Sequence, residues 1–304
     1  MSDELLDLWS LRDCVRWGAS RFNAAGLCFG HGTDNALDEA LDLVLYAVHL
    51  DHDLPAGFLD ARITASEREA ILRLLRRRED ERIPAAYLTR RARFAGDWYY
   101  VDEHVLVPRS PMAELVERRF EPWLDPASVG RVLDLCTGSG CIAVACAHAF
   151  PDAQVDATEL SEAAAAVARR NAREHGVDTR VRVLTGDLFA PIGEAQYDLV
   201  VSNPPYVSEA EMAALPAEYR HEPALGLAAG PDGLDVVRRI LAGARRHLAP
   251  DGILVVEVGD SAERLAAAYP DIPFLWLEFE RGGGGVFLLT AAELDRHFPG
   301  PEET

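Results

Sequence analysis

Beyond residue 129 the chain alternates short apolar runs with amphipathic segments, and this alternation restricts the fold more than any other feature of the sequence. Strands that alternate with helices form a mainly parallel sheet covered by helices on both faces. The predicted strands are residues 131–136, 153–159, 180–185, 197–203, 252–258, 273–279 and 284–290, and the predicted helices are residues 140–149, 161–175, 232–248 and 260–269. A glycine run without a helix joins the last two strands, which predicts an antiparallel pair. We therefore expect an α/β fold with a seven-stranded, Rossmann-like sheet whose ligands bind outside the carboxyl ends of the strands.

The sequence before residue 92 has a different character, because helical periodicity dominates it. The predicted helices are residues 5–17, which include Leu5 and Leu6, residues 38–50 and residues 66–81. Thr33 or Asp34 is the expected N-cap of the second helix. The third helix carries four arginines, Arg73, Arg76, Arg77 and Arg78. Acidic residues follow directly, so a solvated face is favoured over an RNA-binding surface.

Residues 94–107 are rich in aromatic and β-branched residues, with turn sequences between them. This pattern predicts a short β-hairpin that bridges the helical region to the α/β region. A linker with two prolines follows, and residues 112–123 predict a helix. We accordingly divide the chain into an N-terminal helical domain at residues 1–91, a hairpin and linker at residues 92–111, and an α/β domain at residues 112–304.

The charge of the chain argues against some classes of partner. With 30 Lys and Arg against 50 Asp and Glu, the formal net charge is −20 at pH 7. Proteins that grip duplex DNA present basic surfaces, so this chain would repel nucleic acid and attract a basic protein. No apolar run approaches the roughly 20 residues of a membrane span, and the first residues lack a signal-peptide pattern, so we expect a cytoplasmic location without a membrane. Five cysteines without a CxxC pair predict neither a zinc site nor disulfides, and no metal is expected.

The motif Asn203-Pro204-Pro205-Tyr206 lies at the end of the fourth predicted strand. Asn203 offers a side-chain carbonyl, and Pro204 offers a backbone carbonyl without an N–H of its own. The residue before a proline is held in an extended conformation. Two fixed acceptors beside a flat aromatic ring suit the planar –NH2 group of an amide or a nucleobase. A strand that merely ends in a proline turn is the structural alternative, and the upstream residues favour the functional interpretation.

The three earlier strand ends carry further residues of the kind that bind ligands. The first strand runs into a glycine turn that would expose backbone N–H groups, and Ala143 replaces the third glycine of a dinucleotide fingerprint, which counts against NAD. Glu159 ends the second strand, where a carboxylate can accept both ribose hydroxyls of an adenosine cofactor. After the third strand, Asp187 and the aromatic ring of Phe189 lie where an adenine would bind.

Taken together, these motifs resemble those of the S-adenosylmethionine-dependent methyltransferases, and within them the bacterial protein-(glutamine-N5) methyltransferases. The chain is similar over essentially its full length to the branch that modifies the third large-subunit ribosomal protein. The segments that carry this resemblance are residues 29–35 (FGHGTDN), 105–111 (VLVPRSP), 203–206 (NPPY), 218–223 (EYRHEP) and 276–279 (WLEF). The branch that modifies peptide-chain release factors has PRPET where this chain has PRSPM, and it lacks the first of these segments. Cys136 stands where the family more commonly has glycine.

The resemblance implies roles for individual residues. S-adenosylmethionine would be bound by Asp134, Thr137, Gly138, Gly140, Glu159, Asp187, Leu188 and Asn203. Asn203, Pro204 and Tyr206 would be catalytic, and Asn203, Pro204, Pro205, Tyr206 and Arg109 would bind the substrate. In this scheme Asn203 and Pro204 hold the substrate amide, and Tyr206 covers its face. Two possibilities stay open for Arg109, namely binding of substrate or cofactor, or an ion pair with Glu114. Glu257 is expected to be a buried hydrogen-bonded acceptor behind the site.

The implied function is methyl transfer from S-adenosylmethionine to the side-chain nitrogen N5 of a glutamine in a basic ribosomal protein, with the N-terminal domain recognising the substrate. The release-factor branch is one alternative. A second is adenine N6 methylation of nucleic acid, in which the same acceptors would hold an exocyclic amine, and the net charge disfavours it. A third is a non-catalytic cofactor-binding scaffold on assembling ribosomes, which would have no need of the acceptor motif.

Overall fold

The computed structural model describes residues 7–298, and within them the chain forms two compact units. The first unit contains the described residues up to Ala92 together with a later segment, Pro216–His221. The second unit contains Arg93–Leu215 and the described residues from Glu222 onward. Leu5 and Leu6, which we assigned to the first helix, lie outside the described residues. The three-part division at residues 1–91, 92–111 and 112–304 stays a prediction.

Helices build the first unit. They are α1 (Leu11–Ala24), α2 (Ala36–Ala47), α3 (Ala65–Glu81) and α4 (Ala85–Thr89). Phe22, Leu43 and Leu75 come from three different helices and are completely or almost completely buried in a shared core. Periodicity predicted the first three helices, but α1 lies later in the chain than the expected residues 5–17, and α2 lies slightly earlier than residues 38–50. The helix α4 spans only five residues and is too short to show a periodicity.

Local hydrogen bonds decide where these helices begin. Capping boxes open α1 and α3. The N-cap of α2 is Asn35, which corrects our expectation of Thr33 or Asp34. The Asn35 side chain accepts the N–H groups of Leu37 and Asp38, each at 3.0 Å, and so satisfies two donors that the helix itself leaves unpaired.

Arg78 corrects our interpretation of the basic run on α3, because its side chain is completely buried instead of solvated. Its Nε donates to Glu39 at 2.6 Å, and its Nη2 donates to the carbonyl of Cys28 at 2.8 Å. Its Nη1 lies 3.6 Å from a carboxylate oxygen of Glu218. A buried guanidinium needs such partners, since an uncompensated charge in the interior is very costly. The sequence hid this arrangement because Glu218 lies 140 positions from Arg78 along the chain.

A hairpin precedes the large sheet. Its strands, β1 (Arg91–Phe94) and β2 (Asp97–Tyr100), are joined by Ala95 and Gly96, which both adopt positive φ angles. The hairpin predicted within residues 94–107 therefore exists, but it lies earlier in the chain and is shorter than expected.

The predicted seven-stranded sheet forms the centre of the second unit. Its strands are β3 (Arg131–Leu135), β4 (Gln154–Glu159), β5 (Val181–Thr185), β6 (Tyr197–Ser202), β7 (Leu248–Glu257), β8 (Leu275–Trp276) and β9 (Val286–Thr290). The strand order is β5-β4-β3-β6-β7-β9-β8, in which β9 runs antiparallel to both neighbours and the remaining pairs are parallel. The order reverses between β3 and β6, and such a switch point is where open α/β sheets bind their ligands.

Helices cover the sheet of the second unit. They are α5 (Met112–Glu117), α6 (Cys141–Ala149), α7 (Glu162–Glu174), α8 (Glu209–Ala214), α9 (Asp235–Ala244), α10 (Ala262–Ala268) and α11 (Ala291–His297). Two hydrophobic clusters form the core, one with Val132 and Val144 and the other with Leu133 and Leu241. Val132 and Leu133 are neighbours in β3, so the clusters lie on opposite faces of the sheet. Among the residues that the structure describes, no helix is both long enough and apolar enough to span a membrane.

Several element boundaries in the second unit differ from the prediction. The helix expected at residues 112–123 ends at Glu117, because Arg119 and Phe120 adopt φ angles of 53° and 57° that no helix continues through. The strand expected at residues 273–279 is reduced to two residues, Leu275–Trp276. We did not predict α8 and α11, although each begins with a capping box that is readable in the sequence.

Candidate active site

A cavity of about 280 Å³ opens at the carboxyl ends of β3, β4, β5 and β6. Its walls are formed by residues 103–106, 136, 138, 158–161, 164, 186–188, 203, 205, 223, 225, 226, 228, 236 and 239. The predicted site residues in these walls are Gly138, Glu159, Asp187, Leu188, Asn203 and Pro205. The predicted site residues outside these walls are Asp134, Thr137, Gly140, Pro204, Tyr206 and Arg109. The structure thus brings together residues from four strand ends.

Asp134 supports the glycine turn after β3 from beneath. It is completely buried, and its Oδ2 accepts a hydrogen bond from Thr137 Oγ1 at 2.5 Å and from the N–H of Ala143 at 3.1 Å. Burial raises the pKa of Asp134 to about 7, against the opposing effect of these two hydrogen bonds. In this geometry Asp134 and Thr137 shape the turn and do not face the cavity.

Three residues of the same turn, Cys136, Gly138 and Gly140, have left-handed backbone conformations. Cys136, with φ of 58°, lines the cavity in a conformation that glycine adopts at lower cost than any residue with a side chain. Gly140, with φ of 79°, precedes α6. A Cβ atom at Gly140 would lie 3.0 Å from the Cβ of Ala168, so glycine allows α6 to begin close against α7.

Glu159, the last residue of β4, presents an oriented carboxylate at the cavity. Its Oε2 accepts the N–H of Gly138 and its Oε1 accepts the N–H of Ser161, both at 2.9 Å. Each carboxylate oxygen can accept more than one hydrogen bond. The group is therefore held in place while it keeps acceptor capacity for a pair of ligand hydroxyls.

Asp187 forms an ion pair at the cavity wall with Arg239, a residue that we did not predict. Arg239 Nη2 lies 2.6 Å from Asp187 Oδ2, and the side chains are 56% and 46% exposed, so the pair contributes little to stability. Leu188 and Val236 form an apolar wall of the same cavity. The combination suits a flat ring with polar edges. No sequence signal distinguished Arg239 from other arginines on helices, because only the fold places it beside Asp187.

Asn203 follows β6 and carries a buried polar atom that the described part of the protein leaves without a hydrogen bond. Its Oδ1 is buried and has no hydrogen-bond partner among the described residues. Ser202 immediately before it donates its hydroxyl to the carbonyl of Leu135 at 2.9 Å, which ties the end of β6 to β3. A buried acceptor without a partner costs about 1–3 kcal/mol. A ligand that brings an N–H group to this atom would recover that free energy.

The rest of the motif after β6 is divided between the cavity and the protein interior. Pro205 lines the cavity, whereas Pro204 is buried outside its walls. The hydroxyl of Tyr206 donates to Glu257 Oε1 at 3.1 Å, so Glu257 is a buried hydrogen-bonded acceptor, as expected. That Tyr206 covers the face of a substrate stays a prediction.

Arg109 holds the linker to a cavity wall. Its guanidinium forms a two-pronged ion pair with Glu222, at 2.6 and 2.8 Å, and Glu222 also accepts the N–H of Val107 at 3.0 Å. Glu114, the partner that we considered, instead accepts the backbone N–H groups of residues 280 and 281. Because Glu222 directly precedes the wall residues 223, 225, 226 and 228, this pair connects the linker with a second side of the cavity. Glu222 lies in a segment that carried the family resemblance, which was the available sequence signal.

The sheet and the cavity at its switch point define an α/β methyltransferase with a Rossmann-like sheet. Residues 120–218 match the family described as "Methyltransferase small domain". The chain belongs to the ribosomal protein uL3 glutamine methyltransferase family. A relative of that name from Bordetella pertussis is 50% identical over 95% of this chain and 97% of its own length. Another from Xanthomonas campestris pv. campestris is 51% identical over 96% of this chain and 94% of its own.

Solved structures share the fold at much lower identity. The hMettl16 catalytic domain, in complex with MAT2A 3′UTR hairpin 1, has a TM-score of 0.51 and 17% identity over 84% of this chain and 90% of that chain. This likeness supports the Rossmann-like sheet and nothing more specific.

The cofactor is S-adenosylmethionine, the methyl donor of the class to which the chain belongs. The cavity residues fit this molecule. Glu159 offers acceptors for ribose hydroxyls, and Leu188 with Val236 offers an apolar surface for an adenine ring. Asn203 forms part of the same cavity wall, and its Oδ1 has no hydrogen-bond partner among the described residues.

Proposed function

We propose that this chain transfers a methyl group from S-adenosylmethionine to the side-chain nitrogen N5 of a glutamine in ribosomal protein uL3, the third protein of the large subunit. The curated relatives described above are named for this activity. The observation that carries the proposal is the Asn203 side chain, which belongs to a cavity-wall residue and whose buried Oδ1 has no hydrogen-bond partner among the described residues. A primary amide supplies the donor that this atom lacks.

Asn203 and Pro204 would orient and activate the substrate amide. Its nitrogen is a weak nucleophile, because the lone pair is delocalised into the amide carbonyl. When Asn203 Oδ1 and the Pro204 carbonyl accept the two N–H groups, the nitrogen is held in one orientation and gains electron density. These acceptors interact more strongly as the nitrogen becomes positive, so they stabilise the transition state more than the bound substrate.

The strand ends would bring the two reactants together. When bound, S-adenosylmethionine supplies a methyl group attached to a positively charged sulfur. Gly138, Glu159, Asp187 and Leu188 would hold it beside Asn203, and such orientation contributes much of the rate in reactions of this kind. The N–H proton becomes acidic as the nitrogen is alkylated and leaves to water, so a strong general base is unnecessary.

The charge of the chain supports a protein substrate of opposite sign. With a net charge of −20, the enzyme would attract a basic ribosomal protein and bind nucleic acid poorly. We also infer that the reaction takes place in the cytoplasm on the free protein, since a glutamine in an assembled particle would be hard to reach. The N-terminal helical domain, Arg109, Pro205 and Tyr206 would contribute to substrate recognition.

Methyl transfer from isotopically labelled S-adenosylmethionine tests this proposal. Purified uL3, a peptide-chain release factor and duplex DNA are incubated separately with the enzyme, and tandem mass spectrometry locates the label. The expected result is label on one glutamine side chain of uL3 alone. Label in the release factor would show that uL3 is the wrong substrate. Label in DNA would show that glutamine methylation is the wrong reaction. Cofactor binding without transfer to any of them would favour a scaffold.

A further inference from the structure

Glu257, the last residue of β7, is 5% exposed and receives hydrogen bonds from two hydroxyl groups. Ser110 Oγ donates to its Oε2 at 2.5 Å, and Tyr206 Oη donates to its Oε1 at 3.1 Å. Ser110 belongs to the linker before α5, and Tyr206 ends the acceptor motif after β6. One buried carboxylate therefore joins three segments of the second unit, and we call these three residues the Glu257 bridge.

Tyr206 is also fixed at points other than its hydroxyl. Its backbone carbonyl accepts a hydrogen bond from Ser261 Oγ at 2.7 Å. A Cβ atom at Gly259 would lie only 2.7 Å from the Tyr206 ring, so the ring packs directly on the backbone of Gly259. The hydroxyl, the ring and the carbonyl are thus all held, and none of them belongs to the cavity wall. This environment points to a positioning role for Tyr206.

The two prolines between Asn203 and Tyr206 make the chain stiff, so the position of Tyr206 restricts that of Asn203. Proline fixes its own φ near −65° and restricts the residue before it, so the chain from Asn203 to Tyr206 has few free torsions. Its first end is tied to β3 through the Ser202–Leu135 hydrogen bond. Its second end is tied to β7 and the linker through the Glu257 bridge. The Asn203 side chain and the Pro204 carbonyl lie between these two fixed points.

The linker end of the bridge is equally well anchored. Ser110 Oγ accepts the N–H of Met112 at 3.1 Å while it donates to Glu257. Upstream in the same linker, Arg109 is paired with Glu222, and Val105 and Leu106 line the cavity. The bridge therefore connects the acceptor motif with a wall of the cavity. Burial raises the pKa of Glu257, against the effect of the two hydroxyl donors.

We propose that Glu257 is a positioning residue for methyl transfer, which holds Asn203 and the Pro204 carbonyl in place through Tyr206 and couples them to the linker through Ser110. The inference rests on the proposed function for its catalytic consequence, whereas the connection itself is a property of the fold. A displacement of about 1 Å at a reacting group can lower a rate by about 10²-fold, so loosening one end of the motif should be costly.

The experiment compares Glu257→Ala, Glu257→Gln, Tyr206→Phe and Ser110→Ala in kcat, KM for uL3 and Kd for S-adenosylmethionine. We expect Glu257→Ala to lower kcat by about 10- to 100-fold with a change in cofactor Kd below about threefold. Glu257→Gln should retain most of the activity, because its amide can still accept one hydroxyl and donate to the other. In the Glu257→Ala background, Tyr206→Phe should cause little further loss, since both changes break the same connection.

Glu114→Ala is the matched control, because Glu114 is also a buried carboxylate of the second unit and accepts two backbone N–H groups away from the cavity. It should lower the melting temperature while kcat stays within about twofold. A normal kcat in Glu257→Ala, or a fully additive loss with Tyr206→Phe, would overturn the proposal. If Glu257→Ala fails to fold, the single variants Tyr206→Phe and Ser110→Ala test the proposal. An unchanged kcat in both would overturn it.

Hydrogen exchange separates this proposal from the proposed function. Loss of the bridge should speed exchange at the amides of Tyr206 and Val207 in Glu257→Ala and leave it unchanged in Glu114→Ala. This readout requires no substrate. If exchange is faster in Glu257→Ala but the wild-type enzyme does not methylate uL3, the bridge is supported and the proposed substrate is rejected. If exchange in Glu257→Ala is unchanged, the bridge is rejected.

Discussion

The two units bury carboxylates in different ways. In the first unit, Glu39 and Glu218 are almost completely buried and both lie close to the guanidinium of Arg78, at 2.6 and 3.6 Å. In the second unit, Asp134 and Glu257 are buried against hydroxyl and backbone N–H donors. In the first unit the partner of the buried carboxylates is a cation. In the second unit their partners are the dipoles of hydroxyl and N–H groups.

We therefore expect the buried carboxylates of the first unit to matter for stability and those of the second unit to matter for catalysis. An ion pair inside a helical unit stabilises only while it is complete, because removal of one partner leaves an uncompensated buried charge. Hydroxyl and N–H donors stabilise a buried carboxylate less than a cation does. They do, however, fix the orientation of the carboxylate and of the groups that donate to it. In the second unit those donors belong to the glycine turn and to the acceptor motif, both of which form or support the cavity.

The largest effect is expected from Arg78→Ala, which should lower the free energy of unfolding by about 3–5 kcal/mol. The substitution leaves Glu39 buried without its cation, whereas Glu218 keeps an ion pair with Arg82 at 2.9 Å. Urea unfolding followed by circular dichroism measures the change. Adding Glu39→Gln to Arg78→Ala should restore part of the loss, because it removes the charge that has lost its partner. If the double variant is no more stable than the single one, lost packing and not charge would explain the effect.

Asn203→Ala tests the catalytic side of the comparison. It should lower kcat by about 10²- to 10³-fold, because an acceptor that strengthens in the transition state is removed. The unfolding free energy should stay the same or rise slightly, since Asn203 Oδ1 has no partner among the described residues. Single-turnover kinetics and thermal unfolding on the same sample provide both values. Near-normal turnover at saturating substrate would contradict the acceptor mechanism.

Asp134→Asn tests how dipoles compensate a buried carboxylate. Because the pKa of Asp134 is raised to about 7 in the folded state, the carboxyl group ionises at lower pH in the unfolded chain than in the folded one, and this favours unfolding as pH rises toward that value. Wild type should therefore lose stability relative to Asp134→Asn between about pH 4 and pH 7, by at most about 1.4 kcal/mol per pH unit. Denaturant unfolding of both proteins across this range measures it. A difference that does not change with pH would show that Asp134 does not titrate there.

The smallest effect is expected from Arg77→Ala, the matched control for Arg78→Ala on the same helix. Arg77 is 45% exposed and pairs with Glu81 four residues later, and such surface pairs contribute little to stability. The urea midpoint should coincide with that of wild type within error. Alanine is the better helix former, so a loss similar to that of Arg78→Ala would contradict the assignment of the Arg78 effect to the buried ion cluster.

The sequence predicted correctly those features of the fold that depend on residues close together in the chain. Strand and helix periodicity located all seven strands of the sheet, and the residues at four strand ends predicted one site because parallel strands end at the same edge. Errors occurred at boundaries. The N-cap of α2 and the early end of α5 depend on single side chains and on positive φ angles at Arg119 and Phe120, which periodicity does not detect.

The sequence by itself determined the fold class, the position of the acceptor motif and the family of the chain, because these follow from local patterns and motifs. Only the tertiary structure decided that Arg78 is buried, that Arg239 lies beside Asp187, and that Ser110, Tyr206 and Glu257 form one bridge. Ser110 and Glu257 are 147 positions apart in the chain. Burial and hydrogen bonding between such distant residues depend on how the strands and linkers pack, and that packing has no signature within any one segment of the sequence.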